Sequence, residues 1–279
     1  MPKKKIGPAI AILICFCLAI TTFYFYFSAE KVKSELAQKE SEMQKLEQSY
    51  TAQLEEYKEF FNNFKNKTGE KIVSSNELLT FLKFDDTDKI KYDNVSFDCT
   101  GFAFEIYKRA SSIGMKVGLA ELEFETEARG HLLNVFQTSD KGVVFIDSTG
   151  NENGSGYDKI AFAEKGKKYK AIIIPNKDEF TVCNFKCRDL PKISLDKKKY
   201  DLFSKEFLSN VENCTSMYND CVKEYNREVE NYNSGIKTYD YGELKRWQSN
   251  LEQIKEDFTI NDTLILVEGD VIKNIQIYW

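Results

Sequence analysis

A cysteine, the chain's only histidine and an aspartate occur in an order that could support nucleophilic catalysis. Cys99 lies in the segment SFDCTGFA, His131 in GHLLNV and Asp147 in FIDST. In a site of this kind a thiolate attacks, an imidazole accepts and returns the proton, and a carboxylate orients the imidazole. The residue types therefore make Cys99, His131 and Asp147 candidate catalytic residues of a cysteine enzyme.

The nucleophile candidate falls at the start of a predicted helix. Apolar residues at helical spacing follow Cys99, and Gly114 ends the pattern, so we expect a helix over residues 99–113. The positive end of a helix and its backbone N–H groups stabilise a thiolate and, during acyl transfer, an oxyanion. The simpler alternative is a buried structural cysteine.

The histidine and the aspartate fall on two neighbouring strands. Residues 132–137 and 143–146 have strand-like patterns, and the turn signal DKG lies between them. Antiparallel pairing about that turn places His131 roughly opposite residues 147–150, within reach of Asp147. The alternatives are a surface or capping histidine and an aspartate that closes a turn. The order of all three residues and their supporting elements favours the catalytic interpretation.

The segment from Cys99 to Gly150 resembles the core of the transglutaminase-like superfamily. CTGFA resembles the helix start that carries the family's nucleophile, GHLLNV resembles its Gly-His strand, and IDST resembles the end of its aspartate strand. The resemblance implies that Cys99 is the nucleophile, His131 the general base and Asp147 the orienting acid. The chain departs from the family where Leu132-Leu133 replace Ala-Trp and where Ser148 replaces Pro.

The resemblance also implies a reaction. Active members of the family attack an amide with the thiolate, release the amine and pass the acyl group to water or to another amine. We therefore expect an enzyme that acts on amide bonds of peptides or proteins, with no cofactor and no metal. Tyr92 and Phe97 are the nearest aromatic residues upstream of Cys99, and only Tyr92 could donate a hydrogen bond to an oxyanion.

A non-catalytic interpretation stays open. In it the chain is a surface protein that keeps the transglutaminase-like fold as a binding or assembly module. The unusual Leu132-Leu133 pair and the charged, helical region 196–258 motivate this alternative. Nucleic acid is excluded as a partner, because the net charge is −5.

The N-terminus has the pattern of a membrane anchor. Residues 6–27 form an apolar run of 22 residues without a charge, which is long enough to cross a bilayer. Three lysines precede the run, so we expect a single-pass cell-membrane protein whose N-terminus is cytoplasmic and whose bulk is extracytoplasmic. The alternative is a cleaved signal peptide, but the run ends in FYFYF, where a peptidase needs small residues.

A heptad pattern follows the apolar run. Over residues 30–67, two rows of positions spaced by seven residues carry apolar side chains at eight of ten places. The pattern favours a coiled-coil stalk through which the chain would form a homo-oligomer. The alternative is an amphipathic helix that packs on its own domain.

The cysteines outside the apolar run support export. Four could pair, namely Cys183, Cys187, Cys214 and Cys221, which leaves Cys99 as a free thiol. If Cys214 and Cys221 share a helix, they lie about 10.5 Å apart along its axis, too far to bridge each other. We therefore expect each to pair with Cys183 or Cys187. Zinc binding by the four is the weaker alternative.

The fold class expected from these elements is α+β. It comprises a transglutaminase-like (papain-like) core with the catalytic helix against an antiparallel sheet, an N-terminal transmembrane helix, a coiled-coil stalk and a helical C-terminal region. A hairpin formed by residues 263–267 and 271–278 would close the chain. The expected divisions are residues 1–29 for the cytoplasmic tip and anchor, 30–68 for the stalk, 69–191 for the core and 192–279 for the C-terminal extension.

Overall fold

The chain divides into two units, Met1–Asn66 and Lys67–Trp279. The computed structural model describes residues 30–45, 48, 70–126, 130–236 and 238–279. In the first unit, residues 30–45 form helix α1. The seam positions Val32, Leu36 and Met43 of the heptad pattern are exposed on this helix. The rest of the predicted stalk lies almost entirely outside the described residues.

The fold class predicted from the sequence is wrong in its membrane-spanning element. Within the residues that the structure describes, no helix is both long enough and apolar enough to cross a bilayer. The anchor predicted at residues 6–27 lies outside that part of the chain. The observed fold is α+β, built on helices and an antiparallel sheet.

Two helices precede the sheet, and a side chain caps the start of each. Helix α2 spans Ser75–Phe84 and begins with a capping box between Ser74 and Glu77. Helix α3 spans Cys99–Ser112, and the Asp98 carboxylate accepts a hydrogen bond from the backbone N–H of Thr100. Capping of this kind satisfies N–H groups that a helix start leaves unpaired. Helix α3 was predicted from the sequence over residues 99–113, one residue beyond its observed end.

The described residues form ten strands, in chain order β1 Val117–Phe124, β2 His131–Thr138, β3 Gly142–Asp147, β4 Lys159–Phe162, β5 Lys168–Ile173, β6 Glu179–Thr181, β7 Lys197–Lys199, β8 Thr259–Ile260, β9 Thr263–Leu264 and β10 Leu266–Tyr278. Six of them close into an antiparallel barrel in the order β1-β10-β5-β4-β3-β2. Small and branched apolar side chains, among them Leu133, Ala161 and Ala171, form one core cluster with these strands. The sheet thus closes into a barrel, whereas the sequence predicted only an antiparallel sheet packed against the helix.

The predicted C-terminal hairpin is also wrong. Residues 266–278 form the single long strand β10, which pairs with β1 on one side and with β5 on the other. The residues Glu268-Gly269-Asp270, which resemble a turn in the sequence, lie where the register of β10 against β5 shifts. They form an irregularity of the bulge type, which bends a strand without ending it. Strand β10 therefore closes the barrel.

A second core lies beside the barrel in the same unit. Helices α4 (Lys205–Asn233) and α5 (Tyr241–Phe258) pack together around the fully buried Trp247. Two disulfides, Cys183–Cys214 and Cys187–Cys221, tie the segment after β6 to α4. The sequence prediction that Cys214 and Cys221 share a helix and pair with Cys183 and Cys187 is confirmed.

Candidate active site

The structure brings the predicted site residues together in one cleft of about 670 Å³. Cys99 is the first residue of α3, His131 is the first residue of β2 and Asp147 is the last residue of β3. Because β2 and β3 are antiparallel, the start of one strand and the end of the other lie at the same end of the barrel. Helix α3 brings Cys99 to this end.

The histidine and the aspartate face each other across the β2–β3 ladder. The last paired residues are Asn134 and Ile146, and one step further the register places Leu133 opposite Asp147. His131 lies two residues before Leu133 and on the same face, which makes it the diagonal neighbour of Asp147. His131 Nε2 lies 3.2 Å from Asp147 Oδ2, and the aspartate side chain is only 4% exposed.

Two contacts fix the elements around His131, one between helix α3 and β2 and the other between β2 and β1. The Asn134 side chain donates a hydrogen bond of 2.8 Å to the backbone oxygen of Ala103 on α3. Directly before His131, a side chain on Gly130 would place a Cβ 2.7 Å from the backbone oxygen of Leu122. Glycine is therefore required for β2 to begin so close to β1. Together these contacts set the position of Cys99 relative to His131.

Cys99 is a free, half-buried thiol. Burial by itself would raise its pKa, but the hydrogen bond with His131 and the backbone N–H of Leu132 lower the pKa below the ordinary value. Since His131 Nε2 contacts Asp147, the other ring nitrogen, Nδ1, is the one left for the thiol. The expectation that the odd cysteine stays free is confirmed. The imidazole and the backbone N–H of Leu132 thus favour the thiolate form of Cys99, which an apolar burial site would not do.

Asp147 is held by more groups than sequence reasoning found. Its Oδ1 accepts a hydrogen bond of 2.9 Å from the backbone N–H of Thr149, and its Oδ2 accepts one of 2.8 Å from the Tyr169 hydroxyl. Lys159, which pairs with Asp147 across β3 and β4, places its ammonium 3.7 Å from Oδ1. Burial opposes ionisation, but Lys159 and His131 hold the pKa of Asp147 well below its usual range. The carboxylate stays charged in a nearly dry site.

The charged aspartate in turn acts on the imidazole. Burial favours the neutral ring, but the negative charge of Asp147 and hydrogen bonds to Asp147 and Cys99 raise the pKa of His131 to about 10. The Tyr169 ring meets the imidazole edge to face, with the centroids 5.8 Å apart. Both pKa shifts, down for Cys99 and up for His131, favour a thiolate–imidazolium pair, the protonation state that a cysteine nucleophile needs.

Tyr92, the predicted oxyanion donor, also lines the cleft. Its ring stacks on Phe102 of α3 at 6.3 Å between centroids, and Phe97 packs edge-on against the same Phe102 at 4.7 Å. This packing places Phe97 in the aromatic support. Tyr92 stays the candidate oxyanion donor, since the other phenol that lines the cleft, Tyr169, donates to Asp147. The backbone N–H of Cys99, at the first position of α3, is a second candidate donor.

Sequence reasoning missed Lys159 and Tyr169. Lys159 opens β4, a strand of only four residues that was not predicted from the sequence. Tyr169 lies in β5, the strand that pairs with β4 in the barrel. Neither residue gave a local signal, because each reaches Asp147 only through the pairing of β4 with β3 and of β5 with β4.

No grouping of three or more His, Cys, Asp or Glu side chains suited to a metal ion occurs within the described ranges. The four cysteines for which zinc was the alternative are instead paired in disulfides.

The chain was compared with protein-family models, curated proteins and solved structures, and none of them matches it. The resemblance to the transglutaminase-like superfamily therefore stays a prediction, and a functional assignment depends on the geometry of the site.

Proposed function

We propose that this chain is a cysteine enzyme that cleaves or transfers amide bonds of peptides or proteins through a thioester on Cys99. The observation that carries the proposal is the continuous set of contacts from Cys99 through His131 to Asp147. A free thiol with a lowered pKa, beside an imidazole with a raised pKa, is uncommon unless a site is arranged for nucleophilic attack.

The reaction follows from the positions of the groups. The Cys99 thiolate attacks the carbonyl carbon of the amide, and the charge that develops on oxygen meets N–H and O–H donors at the start of α3. The imidazolium of His131 gives its proton to the leaving nitrogen as the C–N bond breaks. A water or a second amine then attacks the thioester, loses its proton to His131 and restores the thiolate. Asp147 holds the imidazole in place throughout.

The amide as substrate class is supported by the sequence resemblance to the transglutaminase-like superfamily. An oxidising compartment outside the cytoplasm is supported by the two disulfides, which persist poorly in a reducing cytosol. Water and an amine can each attack the thioester on Cys99 and accept its acyl group, so the proposal covers both hydrolysis and acyl transfer.

The alternative of a non-catalytic binding module predicts a buried or disulfide-bonded Cys99, or a cysteine out of reach of His131. The observed free thiol with its hydrogen bond to the imidazole counts against it. We therefore do not retain it as a second proposal.

The proposal is tested with a thiol-directed electrophile on the full chain, with peptide-level mass spectrometry at Cys99. The wild-type protein should be labelled at Cys99 near neutral pH much faster than free cysteine, and a His131→Ala variant should lose most of this rate. Equal rates in the wild type and in His131→Ala would overturn the proposal, because the imidazole would then play no part in activating the thiol.

A further inference from the structure

The Asp147 carboxylate has different partners at its two oxygens. Oδ2 lies 3.2 Å from His131 Nε2 and accepts a hydrogen bond from the Tyr169 hydroxyl. Oδ1 accepts a hydrogen bond from the backbone N–H of Thr149 and lies 3.7 Å from the ammonium of Lys159. An imidazole and an ammonium therefore share one buried carboxylate, and of the two only the imidazole exchanges a proton in the proposed reaction.

The position of the Lys159 ammonium is set independently of His131. The ammonium donates hydrogen bonds of 2.8 Å to the backbone oxygen of Thr149 and of 3.1 Å to that of Tyr157, and the side chain is only 11% exposed. The pairing of β3 with β4 places Lys159 directly opposite Asp147. The cation therefore stays beside Asp147 when the charge on the imidazole changes.

The charges of Asp147 and Lys159 balance in both halves of the proposed reaction. Before attack, the thiolate of Cys99 is balanced by the imidazolium of His131, and Asp147 by Lys159. In the thioester the sulfur is uncharged and His131 has given its proton to the leaving nitrogen, so only Asp147 and Lys159 are charged. Without Lys159 this second state would hold a buried carboxylate with no cation beside it, which is costly.

His131 must be neutral at the thioester stage, because it then accepts a proton from the attacking water or amine. Of the groups that raise the pKa of His131, Cys99 contributes a negative charge that acylation removes, whereas Asp147 keeps its charge. A carboxylate that is 4% exposed acts strongly on the adjacent ring, because little water screens it. The ammonium of Lys159 opposes this effect of Asp147.

We propose that Lys159 is a positioning residue for the second half of the reaction: its ammonium balances Asp147 once His131 has given up its proton, and so lets the neutral imidazole accept a proton from the group that attacks the thioester. This inference rests on the proposed function and adds a role for Lys159 in one step of it. Other titratable side chains near this group or on the cleft wall are Asp88, Asp98, Asp158, Tyr169, Glu268 and Asp270.

The proton affinity of His131 is measured by NMR in the full chain, with ¹³C at the histidine Cε1. The chain has one histidine, so one signal reports the site. Cys99→Ala reproduces the uncharged sulfur position of the thioester. Adding Lys159→Gln, which keeps a donor toward the two backbone oxygens, should raise the midpoint of His131 by at least about one pH unit. A purely structural loss, in which Asp147 moves away from the ring, would lower the midpoint instead.

Lys170→Gln in the same Cys99→Ala chain is the matched control. Lys170 also lies on a barrel strand and pairs with a carboxylate, that of Glu212, but it does not line the cleft. It should leave the midpoint of His131 unchanged.

A second pair of variants applies if Cys99→Ala, Lys159→Gln does not fold. Asp147→Asn is compared with Asp147→Asn, Lys159→Gln, which removes the carboxylate and the ammonium together and leaves neither charge buried alone. The loss of Lys159 should again raise the midpoint of His131, and equal midpoints in this pair would overturn the inference.

The kinetic test uses p-nitrophenyl acetate, whose leaving group needs no proton. The Cys99 thiolate takes the acetyl group and releases p-nitrophenolate, and water then attacks the thioester, loses its proton to His131 and releases acetate. Peptide-level mass spectrometry follows acetyl-Cys99. Lys159→Gln should still be acetylated, but the pH midpoint for loss of the acetyl group should rise by about one unit. Below both midpoints, loss of the acetyl group should be about tenfold slower than in the wild type.

Two results distinguish this inference from the proposed function. Acetylation of Cys99 in both proteins, with a midpoint for acetyl loss that is equal or lower in Lys159→Gln, would overturn the inference and leave the proposed function standing. A wild-type chain that is acetylated at Cys99 no faster than His131→Ala would overturn the proposed function and the inference with it.

Discussion

His131 Nε2 and Asp147 Oδ2 lie 3.2 Å apart because their residues are diagonal neighbours on the β2–β3 ladder. The hairpin that joins these strands therefore sets the distance between the base and its orienting acid. Helix α3 then needs only to deliver Cys99 to the same end of the barrel. Two local elements and one packing contact, from Asn134 to Ala103, are sufficient to assemble the site.

Asp147→Asn should reduce turnover by at least about a hundredfold, because a neutral amide cannot stabilise the imidazolium of His131. The pKa of His131 should fall and that of Cys99 should rise. The measurement is the rate of amide cleavage or transfer, together with the pH profile of Cys99 alkylation. Asp220→Asn is the control, because the Asp220 carboxylate is exposed on α4 and lies 3.8 Å from Lys223. It should change neither the rate of amide cleavage or transfer nor the pH profile of Cys99 alkylation.

Lys159→Met should destabilise the protein by about 3–5 kcal/mol. The substitution removes the ammonium group that partners the buried carboxylate of Asp147. Chemical denaturation of the full chain measures the loss. The double variant Lys159→Met, Asp147→Asn should be more stable than Lys159→Met alone, since the uncompensated charge is gone. A double variant less stable than the single one would show that the Lys159–Asp147 pair does not account for the loss.

Asp88→Asn should stabilise the protein at neutral pH. Burial raises the pKa of Asp88 to about 6, and its Oδ1 has no hydrogen-bond partner among the described residues. A carboxyl whose pKa is raised by folding favours the native state in acid, so its ionisation destabilises the protein as the pH rises from about 4 to above 6. At pH 7.5 the thermal midpoint of the variant should exceed that of the wild type. The corresponding gain in the free energy of unfolding should be at most about 3 kcal/mol.

The same comparison at pH 4 is the internal control for Asp88→Asn. The advantage should vanish there, because the wild-type carboxyl is then protonated in the native state. An advantage of equal size at both pH values would assign the effect to packing instead of ionisation.

Replacing Cys187 and Cys221 together by alanine should lower the free energy of unfolding by about 2–4 kcal/mol, because the bridge closes a loop with a sequence separation of 34 residues. Thermal unfolding with and without a reductant measures the effect. The initial rate of Cys99 alkylation should stay at its wild-type value, since both half-cystines lie in the second core and not in the cleft. A large fall in that rate would show that the second core supports the site.

Sequence reasoning succeeded where the determinants are local. The period of the apolar residues gave α3, and the alternation around the DKG turn gave β2 and β3, so the facing positions of His131 and Asp147 could be predicted from the hairpin alone. Helix geometry excluded a bridge between Cys214 and Cys221, so each was expected to pair with Cys183 or Cys187, and the choice between those two partners was left open.

The closure of the barrel could not be predicted in this way. It depends on the pairing of β10 with β1, in which Leu119 lies opposite Tyr278. Residues so far apart in the sequence leave no local sequence pattern that reveals their contact. Glu268-Gly269-Asp270 has the composition of a turn, and only its pairing with β5 shows that the strand continues. For the same reason Lys159 and Tyr169, which reach Asp147 from β4 and β5, were missed.

The pH dependence of Cys99 alkylation by iodoacetamide tests the central claim most directly. In the wild-type chain, peptide-level mass spectrometry should show the thiolate forming below the ordinary thiol pKa of 9.0, with His131 protonated up to a pH of about 10. In His131→Ala, which leaves no other histidine, the midpoint should move upward, because burial then opposes the thiolate without the imidazolium. Identical pH profiles for the two proteins would contradict a Cys99–His131 ion pair.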